Sequence, residues 1–248
     1  MIEPIANHRS IRKYKDTPVA PALLDEILAA GTRASTIGNM QLYSLVVSTS
    51  AEMRAALAPC HFNQPMVTQA PVVITCCADI HRFGQWCRQR GAEPQYDNFA
   101  WFVSAAIDTL MAAENIALEA EAHGLGICVL GTTIYTADRI VEVLGLPKGV
   151  IPVTTLVAGY PAEQPPLTDR LPLAAVVHSE TYHDYTPEEI DTLWAAREAS
   201  DETRELLRVN DLPNLARIFT ERRYTAADNL AFSRKYFDVL KAQGFFNQ

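Results

Sequence analysis

Residues 97–131 read DNFAWFVSAAIDTLMAAENIALEAEAHGLGICVLG. From Asp97 to His123 no proline or glycine interrupts the run. Phe99, Val103, Ile107, Leu110, Met111 and Leu118 recur at helical intervals with alanines between them, which predicts one long helix able to cross a domain or to support a dimer interface. Gly124-Leu125-Gly126 ends it, and Ile127 to Leu130 follows as a short apolar strand.

Upstream, Thr17-Pro18-Val19-Ala20-Pro21 precedes Leu23, Leu24, Ile27 and Leu28, an amphipathic helix whose start is marked by proline. Leu42 to Val47 reads as a strand, and the short β-branched run Pro71 to Thr75 as a second, fully buried one. Downstream come a helix near Ala137 to Leu144 and a strand from Ile151 to Val157. After Gly159-Tyr160-Pro161 the prolines at 161, 165, 166 and 172 mark an extended excursion, and Pro187 to Arg197 and Ala226 to Gln243 read as helices in a more charged tail. The expected organisation is a core over residues 1–160 and a C-terminal extension or arm over 161–248.

At 248 residues, 48% hydrophobic and 20% charged, the chain can bury a substantial core. A formal charge of −8 argues against nonspecific attraction to nucleic acid or an anionic membrane, so any phosphate site must be local. The N-terminal residues lack a cationic flank followed by an apolar run, and no segment reaches the roughly 20 apolar residues a membrane span requires. The expectation is a soluble, cytoplasmic protein. Cys60, Cys76, Cys77, Cys87 and Cys128 show no paired C-x-x-C spacing and read as buried thiols. His61, His81, His123, His178 and His183 are scattered without ligand spacing, so no metal is expected.

His8-Arg9-Ser10-Ile11-Arg12 packs two guanidiniums, an imidazole and a hydroxyl into five residues, a donor set suited to a phosphate monoester, although the same residues describe a solvated basic segment. Arg170 sits on the proline-constrained loop Pro166-Leu167-Thr168-Asp169-Arg170-Leu171-Pro172, where a charged fork can be held in place. The loop from Ala34 through Thr36 to Gln41 offers hydroxyls and amides that could bond the polar edge of a heteroaromatic ring. Ser10 has no histidine–carboxylate pattern near it, so hydrolase chemistry is not expected.

Taken together, the opening H-R-S-I-R, the serine/threonine loop ending in Gln41, Gln64 in Asn63-Gln64-Pro65, the Gly124 to Gly131 stretch and the P-L-x-x-R-L-P segment resemble the nitroreductase superfamily, in that order. The resemblance is to its NADPH-dependent, oxygen-insensitive nitroreductase and flavin reductase group. It implies an α+β fold with a mixed central sheet flanked by helices and an extended C-terminal arm, in a domain-swapped homodimer. It implies FMN as cofactor, its phosphate held by His8, Arg9, Ser10, Arg12 and Arg170, its ribityl chain or ring edge met by Thr36 and Gln64, and its ring approached by the backbone of Leu130, Gly131 and Thr132. Two departures stand out: Thr168 where the family often has lysine, and Thr132 where it often has a second glycine.

Arg217 and Arg222-Arg223 keep the spacing by which the group resembles proteins that grip the 2′-phosphate of NADPH, and they equally describe a solvated helix end facing Glu221 and Asp228. The implied function is FMN-dependent NADPH oxidation coupled to reduction of a small acceptor (a nitroaromatic, quinone or flavin) by ping-pong hydride transfer. The flavin, and no catalytic side chain, carries the chemistry. The alternatives are a non-catalytic FMN storage or sensor protein, or a flavin reductase supplying a partner monooxygenase.

Overall fold

The computed structural model describes residues 1–247. In chain order the helices are α1 (Glu3–Asn7), α2 (Pro21–Gly31), α3 (Ala51–Leu57), α4 (Met66–Gln69), α5 (His81–Gln89), α6 (Phe99–Ala122), α7 (Ala137–Leu144), α8 (Pro187–Glu198), α9 (Asp201–Asn210), α10 (Leu215–Ile218) and α11 (Ala226–Gln243). The strands are β1 (Tyr43–Ser48), β2 (Val72–Asp79), β3 (Gly126–Leu130) and β4 (Val150–Gly159). The chain forms two compact units, Met1–Leu167 with the segment from Phe232 onward, and Thr168–Ala231.

The sheet order is β1-β2-β4-β3, and every pairing is antiparallel. This corrects the expected mixed sheet. The only parallel contact among the described residues is the isolated bridge of Ser10 to Ile127, where the N-terminal segment runs beside β3 without becoming a strand. β2 lies between β1 and β4 and is buried along its whole length, as its β-branched composition requires.

α6 fills the run from Asp97 to His123 that no proline or glycine interrupts. The Asn98 side chain caps it by accepting from Trp101 N–H at 3.2 Å, and Gly124, at φ +76°, ends it with Leu125 N–H donating back to Ala120 O at 2.9 Å. Its inward face is Ala105, Ala112, Ala113, Ile116, Ala117 and Ala120, which lie against the sheet and α2. Small side chains allow a close approach: a Cβ at Gly31 of α2 would stand 2.6 Å from the Ile116 side chain. The large residues that set the helical period face outward, with Phe99, Val103, Ile107, Leu110 and Met111 all exposed. By length and composition α6 also meets the criterion for a membrane span, which the sequence reading did not grant it. The packed alanine face gives it a place in the core.

Residues 10–15 are stitched to the edge of the sheet. Ile11 N–H donates to Ile127 O at 2.8 Å, Lys15 N–H to Tyr160 O at 2.9 Å, and Ala162 N–H to Lys13 O at 2.9 Å. Glu163 accepts from the backbone N–H of Arg12 and Lys13 at 2.8 and 3.1 Å. Ile11 packs directly on Gly126, where a Cβ would stand 2.5–2.9 Å from three Ile11 side-chain atoms. Because β-branched Ile11 is fixed by its backbone bond to β3, Gly126→Ala is expected to destabilise the protein by about 1–3 kcal/mol through overpacking. Urea unfolding reads this as a lowered midpoint, and the loss should be less than additive with that of Ile11→Ala, which removes the side chain the new methyl would strike. An unchanged midpoint would show that the segment is free to shift.

Candidate functional site

The N-terminal segment divides its side chains. Arg9 and Ile11 line a cavity of about 990 Å³ with Lys15, Glu121 and Glu163, whereas His8, Ser10 and Arg12 do not. Arg9 Nη1 donates to Pro165 O at 3.1 Å, and His8 Nδ1 meets Glu121 at 3.0 Å. The Arg12 guanidinium is exposed and makes no ion pair among the described residues. Ser10 and Arg12 both act on the Cys128 thiol, whose pKa burial nonetheless pushes up. Ser10 itself is bridged to Ile127, within β3.

Thr36 precedes a turn in which Gly38, Asn39 and Gln41 all take the left-handed conformation, at φ 53°, 55° and 53°. Glycine and asparagine tolerate this region and glutamine does not, so something must hold the loop. Buried Asp108 on α6 does so, accepting from Ile37 N–H at 3.0 Å and Leu42 N–H at 3.1 Å, while Arg82 donates to the carbonyls of Gln41 and Tyr43.

Gln64 lies on a second strained loop, following Phe62 and Asn63, both at φ 55°. Thr136 Oγ1 donates to Cys60 O, and His61 Nδ1 lies 2.9 Å from Thr132 Oγ1, so this loop is tied to the turn that follows β3. His61 is fully buried, and burial lowers its pKa to about 4, so the ring is neutral at ordinary pH. Gln64 Oε1 and His61 Nε2 are buried without a hydrogen-bond partner among the described residues. At Gly131, which is exposed, an added Cβ would meet nothing within 4 Å, so the bare backbone stands open.

In the second unit, Arg170 is exposed and folds onto its own loop, donating to Thr168 Oγ1 at 2.8 Å and Asp169 O at 3.0 Å. Thr168 thus orients the arginine. Arg217 is paired with Glu221 at 3.3 Å. Arg222 and Arg223 end a turn of π-helix, and the Arg223 guanidinium lies 5.7 Å from the Phe219 ring centroid. Among the described residues Arg222 reaches only the Glu221 carbonyl, at 3.3 Å, which leaves its charge available.

All five cysteines are buried and unpaired. The scattered-histidine reading overlooked one grouping: Glu26, Glu119 and His123 bring their ligand atoms within 4.8 Å of one another, with His123 bonded to Glu119 at 3.2 Å as an i,i+4 pair. Asp108, Arg82 and His61, which hold the candidate loops, were not picked out from the sequence. The proline and glycine pattern shows where a loop lies; only the fold shows what pins it.

The antiparallel sheet crossed by a long helix, with these loops at its edges, defines the class of protein. Residues 5–160 match the Nitroreductase family. The chain is 34% identical over 184 residues to a Bacillus subtilis protein named FMN reductase (NADPH), covering 73% of this chain and 74% of that one. It is 36% identical over 183 residues to the oxygen-insensitive NADPH nitroreductase of Salmonella typhimurium, with the same coverage. A crystal structure of a Bacteroides fragilis protein superposes with a TM-score of 0.98 at 46% identity, covering 99% of this chain and 100% of that one. This chain belongs to the nitroreductase family.

Asp108 offers the direct test of how the first loop is held. Asp108→Ala strands the fully buried Leu42 N–H, at a cost of about 1–3 kcal/mol, and frees the left-handed turn. The expected outcome is a lower melting temperature together with loss of bound flavin, and a smaller effect for Asp108→Asn, which keeps one acceptor. A variant melting like the wild type would remove Asp108 from this role.

Proposed function

We propose that this chain works as a homodimeric, FMN-dependent NADPH oxidoreductase that reduces small acceptors such as nitroaromatics, quinones or flavins. As a member of its family it is an NAD(P)H-dependent flavoprotein oxidoreductase of the nitroreductase type, with FMN as cofactor and NADPH as electron donor. The observation that carries the reading is the buried, unpartnered Gln64 Oε1 on a pinned, strained loop. His8, Ser10 and Arg12 suit a phosphate monoester, and the exposed Arg12 guanidinium is uncommitted. The resemblance adds Arg9 and Arg170 to this set.

The residues present fit a flavin. Gln64 Oε1 lacks the donor that a buried acceptor requires, and an N–H on a heteroaromatic edge would supply one. The Leu130–Thr132 backbone, bare at Gly131, admits a flat ring at close range, while the loop of Thr36 would meet the ribityl chain. A bound FMN would supply the redox chemistry, hydride acceptance from reduced nicotinamide and electron delivery to the acceptor in a ping-pong cycle. This chain's own residues bind, orient and exclude water; no side-chain acid or base is assigned.

For the donor, Arg222 is the better-placed cation for the NADPH 2′-phosphate, because Arg217 already neutralises Glu221. The outward stripe of α6 supports the homodimer: five large apolar side chains on one helix face are more than a surface normally leaves to water.

The protein is expected to purify yellow with about one FMN per chain. Arg12→Ala is expected to lose most of it, since removing a charged hydrogen bond to phosphate costs about 1.5–3 kcal/mol. Anaerobic NADPH should bleach the bound flavin of the wild type within the time of mixing. Full flavin retention in Arg12→Ala would overturn the phosphate site, and a flavin that NADPH does not bleach would favour a storage or sensor protein instead.

A further inference from the structure

The most deeply buried ionisable group near the proposed flavin site is His61, and binding a phosphate or a nicotinamide makes no use of it. The ring has no exposed surface, and its one partner among the described residues is the hydroxyl of Thr132. An isolated imidazole in a core is costly to desolvate, and this one leaves Nε2 unpaired as well. A group kept at such a cost holds something in place.

What it holds can be read from the surrounding bonds. Thr133 Oγ1 donates to Leu130 O at 2.8 Å and approaches Thr155 Oγ1 of β4 at 2.9 Å, which fixes the turn after β3 from the sheet side. From the opposite side, Thr136 and Thr132 tie the same turn to Cys60 and His61. Gln64 N–H donates to His61 O at 3.1 Å, so the residue bonded to Thr132 through its ring also fixes the start of the Gln64 turn through its backbone. His61 is therefore common to both segments assigned to the flavin ring.

Resting on the FMN reading above, we propose that His61 is a positioning residue. Its Nδ1 bond to Thr132 sets the spacing between the Gln64 carboxamide and the Leu130–Thr132 backbone, so that one flavin ring meets both. The role requires an uncharged ring. Burial alone, with no charged neighbour contributing, keeps the imidazole neutral. An imidazolium would lose its acceptor nitrogen and place a positive charge in a dry site.

The test uses the holoprotein and compares Thr132→Val, Thr132→Ser, His61→Leu and the His61→Leu/Thr132→Val double variant. The readouts are FMN release on dilution, followed by recovery of flavin fluorescence, and the visible spectrum of the bound flavin. Thr132→Val is expected to release FMN about three- to tenfold faster, the factor for one neutral hydrogen bond, and to shift the flavin band. Thr132→Ser should stay close to wild type. In the double variant the effects should be non-additive, because one bond is removed twice.

Thr132→Val binding FMN as the wild type does, with an unchanged spectrum, would overturn the proposal even if its melting temperature fell, since the bond would then be structural only. Additive losses in the double variant would overturn it too. If His61→Leu does not fold, the Thr132 pair decides. A wild type that binds no FMN would bring down the flavin reading itself, and this inference with it.

Discussion

The close packing of α6 on the sheet is the constraint on which the rest of the structure depends. A helix lies this near a sheet only if its contact face is small, and the alanines at 105, 112, 113, 117 and 120 supply that face. Asp108 sits on the same inward side and reaches the backbone of the loop bearing Thr36. The position of the helix therefore sets the position of one candidate cofactor loop. The bulk that would normally fill a core is turned outward, to Phe99, Val103, Ile107, Leu110 and Met111.

Strain is concentrated in the two loops assigned to the flavin. Left-handed Gln41 in one and Phe62 in the other cost backbone energy that neither loop could sustain alone. Each is held by polar side chains from elsewhere in the same unit: buried Asp108 and exposed Arg82 for the first, Thr132 and buried Thr136 for the second. This is the arrangement expected where a rigid ligand must meet pre-set donors and acceptors, because ordering the loops beforehand lowers the entropic cost of binding.

Much of the fold was legible in the sequence. The proline at the start of α2, the uninterrupted run of α6 and its terminal glycine, and the span of α7 all sit where the pattern placed them. α5 and α9 were missed because each is short and strongly polar on average, so its apolar stripe is only two or three residues wide, although Ser200 capping α9 through Thr203 N–H left a readable signal. The mixed sheet was an expectation carried over from the resemblance; strand direction depends on the connections, which the local pattern did not encode and so could not correct. For the site, H-R-S-I-R and Gln64 could be found by resemblance. Asp108 and His61 could not, because a carboxylate inside a helix and a lone histidine acquire their roles only through residues 66 or more positions away.

In the proposed homodimer α6 is a shared helix, with its small face for its own sheet and its large face for a second copy of the chain. Sedimentation equilibrium of the wild type beside Ile107→Glu/Leu110→Glu tests it, since neither side chain belongs to the buried core. The expected result is a wild-type species of twice the 27.4 kDa chain mass, and a monomeric variant that has lost its FMN. A wild type that sediments at 27.4 kDa with flavin still bound would contradict it.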